Sequence, residues 1–293
     1  MEQVFTSGFV SIVGNPNVGK STFLNRVLET KISITSTKPQ TTRDRILGIF
    51  TTETTQILFL DTPGIHFSNK ALNRYMLEKT LATLGDSDLV LVMTDPFETR
   101  EDLLTVAECV AQAGKEAFLV VNKIDLVKGR PLDEVLSRLG STYSYTHLCG
   151  VSSLGGEGIG DLVERIRTAL PEGPKYFPED MITDLPVRFL CREIIREKVF
   201  DLTRKEIPYA VAVEIEEFRE QDNVYIRAVI HVERSSQKGI IIGAGGKKLK
   251  EIGTSARIDI ELLLGQKVFL DLFVRVTPDW SKHTRKIKSL GYA

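Results

Sequence analysis

Apolar residues in the first half of the chain fall into short runs separated by stretches of helical spacing. Phe9 to Val13 is the first run, and Phe23, Leu24, Val27 and Leu28 follow at helical spacing. Gln56 to Leu60, Leu89 to Met93 and Ala117 to Val121 repeat the short apolar pattern, with a weaker copy at Tyr145 to Val151. Helical patterns separate them at about 70–84, 100–113, 131–139 and 158–169. Short buried runs alternating with amphipathic helices predict a mostly parallel sheet with helices on both faces. Right-handed crossovers then bring the strands' carboxyl ends to one edge, where ligands bind in such sheets.

Periodicity breaks at Pro171 to Pro178, a Pro/Gly-rich stretch that Asp184-Leu185-Pro186 closes. Residues 171–186 therefore read as a linker between a domain at 1–170 and another at 187–293. The second domain opens with an amphipathic helix from Val187 to Val199. Two alternating strands follow, Tyr209 to Ile215 and Val224 to Val232, and they look antiparallel. An apolar run, Ile240-Ile241-Ile242, leads into Gly243-Ala244-Gly245-Gly246. A helix over about 247–263 has Leu249, Ile252, Ala256, Ile260 and Leu263 as its core stripe, and Val268 to Val276 is the last strand.

Charge adds a direction. The 293 residues carry a net −1, but residues 234–293 hold 12 basic against 5 acidic side chains, so a phosphate-rich partner belongs at that end. The three cysteines form no C-x-x-C pair, which argues against a disulfide framework and a zinc site. No basic-then-apolar leader opens the sequence, and no apolar run has the roughly 20 residues of a membrane span. The expectation is a cytoplasmic, soluble protein.

The chemistry concentrates on the loops after the apolar runs. Gly14-Asn15-Pro16-Asn17-Val18-Gly19-Lys20-Ser21 reads G-x-x-x-x-G-K-S between a strand and a helix that continues through Thr22. Its glycines let successive backbone N–H groups converge on phosphate oxygens, and the helix N-terminus adds positive charge. Lys20 would reach the β- and γ-phosphates, and the Ser21 hydroxyl would ligate Mg2+. The next strand ends in Asp61-Thr62-Pro63-Gly64. In that position Asp61 can hold Mg2+ through water, and the Gly64 N–H can sense a γ-phosphate. As an isolated tetrapeptide it would be only a turn.

Asn122-Lys123-Ile124-Asp125 follows the Ala117 to Val121 strand. A carboxylate there accepts from guanine N1–H and its exocyclic amine, whereas adenine has no such donor pair. An unpaired charged partner costs about 1.5–3 kcal/mol. Lys123 can lay its stem on the purine, and Asn122 can brace the loop. Val151, Ser152 and Ser153 follow the last strand and could supply a backbone N–H to the guanine O6. The polar, Thr-rich stretch 31–45 reads by itself as a surface loop.

These motifs, in this order, resemble the translation-factor-like GTPases, in the branch of the Era and TrmE-type proteins. The resemblance makes Gln40-Thr41-Thr42-Arg43-Asp44 the first switch and implies that Thr42 ligates Mg2+ when GTP is bound. The residue after Gly64 is Ile65, where many GTPases carry a water-orienting Gln, so intrinsic hydrolysis should be slow. Relatives with an apolar residue there often use a phosphate-loop Asn, here Asn17, to help bind K+. The bland alternative is that Asn17 only fixes the turn. The catalytic set so implied is Lys20, Thr42, Gly64 and Asn17.

The Ile-rich run, G-x-x-G loop and helix resemble a type II KH domain, a small α+β module that binds single-stranded nucleic acid. The implied RNA contacts are Gly239, Ile240, Ile241, Ile242, Gly243, Ala244, Gly245, Gly246, Lys247, Lys248 and Lys250, with Ile240 to Ile242 and Ile252 cradling bases. Ala244 and Gly245 replace the basic residue many such loops carry between their glycines. Trp280 beside the basic tail also fits base stacking. His66, His147 and His231 have no partner that spacing can identify.

Taken together, the two halves resemble the Era architecture. That implies a GTP- and GDP-binding, Mg2+-dependent switch that grips the 3′ end of 16S rRNA and assists assembly of the 30S ribosomal subunit. It implies a monomer, with association at the inner face of the membrane by family analogy. Two rivals are an RNA-binding module with a GTP-dependent latch and negligible turnover, and a TrmE-type RNA-modification GTPase. The latter would need a C-terminal catalytic cysteine motif that this sequence lacks.

Overall fold

In a computed structural model of the chain, residues 4–292 are described except 37, 39, 40, 66–70, 128, 130, 205, 206, 221 and 222. Gln40 and His66, singled out above, lie outside the described residues. The chain divides into two units. One comprises Met1–Ser33, Thr42–Ser68 and Asn73–Asp184, and the other Ile34–Thr41, Asn69–Leu72 and Leu185–Ala293.

The first unit has strands β1 (Thr6–Val13), β2 (Ile46–Thr51), β3 (Thr55–Asp61), β4 (Leu89–Thr94), β5 (Glu116–Val121) and β6 (His147–Gly150). Its helices are α1 (Lys20–Val27), α2 (Ala71–Gly85), α3 (Arg100–Ala113), α4 (Leu132–Gly140) and α5 (Ile159–Ala169). The sheet order is β2-β3-β1-β4-β5-β6, parallel except for β2, which runs antiparallel to β3. Strand β2 has no counterpart in the sequence reading. Three residues, Thr52 to Thr54, join it to β3, and a connection that short permits only an antiparallel pair. Every residue of β4 is buried, as a strand covered on both faces must be. Val90 and Val92 pack with Leu103, Val106 and Val110 of α3, while Phe23 of α1 meets Phe59 of β3 edge-on.

The Pro/Gly-rich stretch is fastened to this unit rather than crossing open solvent. Gly173 donates to Phe5, the Gln56 carboxamide bonds the backbone of Tyr176 and Phe177, and the Ile49 amide donates to Ile182. Phe177 and Met181 cover Leu47, Ile49, Leu58 and Leu60 on one face of β2 and β3. The segment read as a linker thus completes a layer of the sheet through residue 184.

The second unit has α6 (Val187–Leu202), β7 (Ala212–Arg219), β8 (Val224–Val232), α7 (Ser235–Ile242), α8 (Lys247–Leu264), β9 (Val268–Val276) and α9 (Thr284–Ser289). Strands β7 and β8 are antiparallel, β8 and β9 parallel. Cys191, Ile195 and Val199 of α6 and Ile252, Ala256 and Ile260 of α8 close its core over the sheet. The outer side of α6 buries charge: Arg192, Glu193, Arg196 and Glu197 are all buried. Arg196 pairs with Glu193, and Glu197 accepts from the Thr35 amide at 2.9 Å.

Trp280 corrects one expectation. It is wholly buried, stacks on Tyr292 and donates its indole N–H to the Ala210 carbonyl at 2.9 Å. It is a core residue and offers no face to a base. His231 proves structural, held between Glu214 at 3.0 Å and Thr277 at 2.8 Å; burial lowers its pKa.

Candidate functional site

The phosphate-type loop runs from the end of β1 to the start of α1. Lys20 is buried, and its ammonium donates to the carbonyls of Gly14 at 3.0 Å and Asn15 at 2.9 Å. Burial pulls its pKa down to about 8, while Asp61 and Glu98 pull it back up. Val18 is buried, and its carbonyl accepts from the Asn122 amide side chain. Asn17 stands exposed at φ +69°, a left-handed conformation that asparagine adopts more readily than most residues.

Under the loop, three hard oxygen groups meet. The Ser21 hydroxyl lies 2.8 Å from the Thr42 hydroxyl and donates to Asp61 Oδ2 at 2.7 Å. Ser33 donates to the same oxygen at 2.9 Å. Asp61 is fully buried, and its other oxygen, Oδ1, has no hydrogen-bond partner. Burial raises its pKa, against the hydroxyls and Lys20, which lower it. An orphaned carboxylate oxygen beside two hydroxyls is a donor set suited to a small divalent cation such as Mg2+. Thr62 bonds the Ile12 carbonyl, and the Pro63 carbonyl accepts from Thr80, so both shape the turn. Gly64 lies against the loop: a Cβ there would come within 2.8 Å of the Pro16 nitrogen. Ile65 turns into the core and is 3% exposed, so its side chain reaches no water above the loop.

Asn122 ties three motifs together. Its amide donates to Val18, and its carbonyl accepts from the Ser153 amide at 2.9 Å and hydroxyl at 2.8 Å. Asp125 stands exposed at the rim, oriented by the Ser152 hydroxyl at 2.6 Å. Lys123 pairs with Asp95 at 3.0 Å. The last motif differs from its expectation. The amides of Val151, Ser152 and Ser153 donate to Val121, Glu157 and Asn122, so all three are engaged within the protein. A guanine O6 would have to share or displace one of these bonds.

In the second unit, Gly239 and Ile240 belong to α7, and Ile240 is 50% exposed. Gly243 ends α7 at φ +72°, and a Cβ there would meet Lys248 at 2.7 Å, so only glycine fits. Ala244 to Gly246 form one tight turn into α8. Lys247 and Lys250 are exposed, and Lys248 pairs with Glu251 at 2.7 Å. Ile241 and Ile252 are wholly buried in the core, which corrects their assignment as base-cradling residues. The groove beside the turn, about 340 Å³, is instead lined by Leu249, Gly253 and Arg257 of α8 and Leu270 and Leu272 of β9. Lys250, Gly253 and Arg257 lie three and four residues apart, so helical spacing carried this signal; Leu270 and Leu272 needed the strand's placement.

A family model described as a 50S ribosome-binding GTPase matches residues 9–123, and a KH domain model matches 206–281. Over 98% of both chains, the sequence is 51% identical to GTPase Era of Geobacter metallireducens. The chain belongs to the Era family of GTPases. GTPase Era of Geotalea daltonii is 49% identical over 99% of each chain. An Era structure from Aquifex aeolicus with bound GDP·AlF4− superposes with a TM-score of 0.94 at 41% identity, covering 99% of this chain and all of that one. An Era complex with MgGDPNP and nucleotides 1506–1542 of 16S ribosomal RNA gives 0.93 at 41% identity, covering 99% of each.

Proposed function

We propose that this chain is a slow GTP-hydrolysing switch that binds the 3′ end of 16S rRNA and assists maturation of the 30S subunit. The observation that carries the switch is the oxygen cluster of Ser21, Thr42 and Asp61 beneath the phosphate loop, with Asp61 Oδ1 unpartnered. These three residues would hold Mg2+, which supplies positive charge to the β- and γ-phosphates. The chain's own groups do the rest. Backbone N–H groups from Asn17 to Ser21 bind the phosphates, Lys20 exchanges its two carbonyl partners for phosphate oxygens, and Asp125 reads guanine. Gly64, against Pro16, brings its amide beside the loop.

Because Ile65 is buried, no side chain at that position orients the attacking water. Asn17, exposed on the loop, would share in holding K+ and speed hydrolysis. The Era complex that holds 16S nucleotides supports the RNA assignment. Here the turn Gly243–Gly246 and the α8 N-terminus would take the RNA backbone, with Lys247 and Lys250 exposed beside it. The protein acts as a cytoplasmic monomer in this reading, and its basic tail is the element that would meet a membrane surface.

Single-turnover GTP hydrolysis in K+ and Na+ buffers, with and without a 16S 3′-end RNA, tests the proposal. Hydrolysis should rise in K+ and rise further with RNA, and Asn17→Asp should lose the K+ effect. Equal rates in both salts would remove the cation role, and negligible turnover under every condition would favour the latch.

A further inference from the structure

The loop between β4 and α3, residues 95–99, belongs to none of the nucleotide motifs, yet it touches two of them. Lys123 pairs with Asp95, and Asn15 donates its amide N–H to Glu98 Oε1 at 2.7 Å. The same amide also donates to the Asp102 carbonyl at 3.0 Å, in the first turn of α3. The other Glu98 oxygen accepts from the buried Thr94 hydroxyl at 2.5 Å. The loop backbone is itself clamped. Arg138 of α4 donates to the Glu98 carbonyl at 2.7 Å and the Pro96 carbonyl at 2.9 Å. Thr99 and Asp102 close a reciprocal cap at the start of α3.

We propose that Glu98 is a positioning residue for phosphate binding: it fixes Asn15, and the Asn15 carbonyl in turn holds the Lys20 ammonium in reserve. The chain of contacts is continuous, from Arg138 and Thr94 through Glu98 and Asn15 to Lys20. Each link is a charged or directional hydrogen bond, so the loop geometry is set before nucleotide arrives. With Lys123 on Asp95, the same loop braces the base-reading and phosphate-reading ends of one site. The inference rests on the nucleotide site proposed above and assigns it a support outside its motifs.

The test is GDP affinity of the full chain with Mg2+, measured by calorimetry for wild type, Glu98→Ala, Glu98→Gln, Asn15→Ala and the double alanine variant. Glu98→Ala and Asn15→Ala should each weaken GDP binding about fivefold to tenfold, the loss of one partly buried charged hydrogen bond. The double variant should be no weaker than either single one, because both cut the same chain. Glu98→Gln keeps an acceptor for Asn15 and should restore most of the affinity. Additive losses, or a Glu98→Ala protein that binds GDP like wild type, would overturn the proposal. Should Glu98→Ala fail to fold, an Asn15→Ala protein of unchanged affinity overturns it and a weakened one with Glu98→Gln intact supports it. A wild-type chain that binds no GDP would instead refute the nucleotide site itself.

Discussion

Lys20 shows how far a residue's chemistry is set by its surroundings. The sequence places a lysine directly after Gly19; the fold then buries it and lowers its pKa to about 8. A phosphate group in contact favours the ammonium and raises that pKa, so GDP binding near pH 8 should take up part of a proton. The sign is definite: affinity falls as pH rises above about 8, because the free protein then has to recover the proton to bind. Calorimetry at about pH 8 in two buffers of different ionisation enthalpy should show net uptake, fading towards about pH 6. Buffer-independent heats at both pH values would show that Lys20 titrates elsewhere. The place of Asn122, Lys123 and Asp125 directly after β5 was legible because N-K-x-D follows an apolar run. The engagement of the Val151, Ser152 and Ser153 amides was not legible, since backbone partners are chosen by strand placement and not by residue type.

At the scale of elements, most strands and helices followed from apolar spacing; Val224–Val232 and Val268–Val276 fell on their expected bounds, whereas the strand expected at Tyr209 to Ile215 runs over Ala212–Arg219. Strand β2 was missed although Ile46-Leu47-Gly48-Ile49-Phe50 is apolar, because it follows a long polar loop and lacks the helix that marks the other strands. In the second unit, the run Ile240 to Ile242 ends a helix whose faces divide, Ile240 outward and Ile241 inward. The turn into α8 gathers exposed Lys247 and Lys250, whereas Lys248 is already paired with Glu251. Lys247→Glu should therefore weaken binding of a 16S 3′-end RNA about tenfold and flatten its salt dependence, with a smaller effect from Lys248→Glu. GDP affinity should not change in either. Anisotropy titrations at two salt concentrations measure both quantities, and an unchanged salt slope for Lys247→Glu would remove the lysine from the RNA contact.

At the scale of the molecule, each unit has its own core: Val90, Val92, Leu103 and Leu119 in the first, Ile195, Ile226, Ile252 and Ile260 in the second. Two cores predict two transitions in scanning calorimetry. Mg2+ and GDP at a thousandfold excess over Kd should stabilise the first by about 4 kcal/mol, and the 16S RNA should shift the second. One transition moved equally by both ligands would contradict independent cores. Residues 171–184 melt with the first unit on this account, since Phe177 and Met181 cover its sheet. The sequence by itself determined the alternation of apolar runs and helices, the G-x-x-x-x-G-K-S and N-K-x-D loops at strand ends and the G-x-x-G turn, because each depends on residue types at fixed local spacing. Tertiary structure alone decided what distance along the chain conceals. It buried Trp280, Ile241 and Ile252, left Asp61 Oδ1 unpartnered, fastened the Pro-rich segment to the sheet and brought Glu98 to Asn15. Those outcomes depend on which elements pack together, and no local pattern encodes a partner 83 residues away.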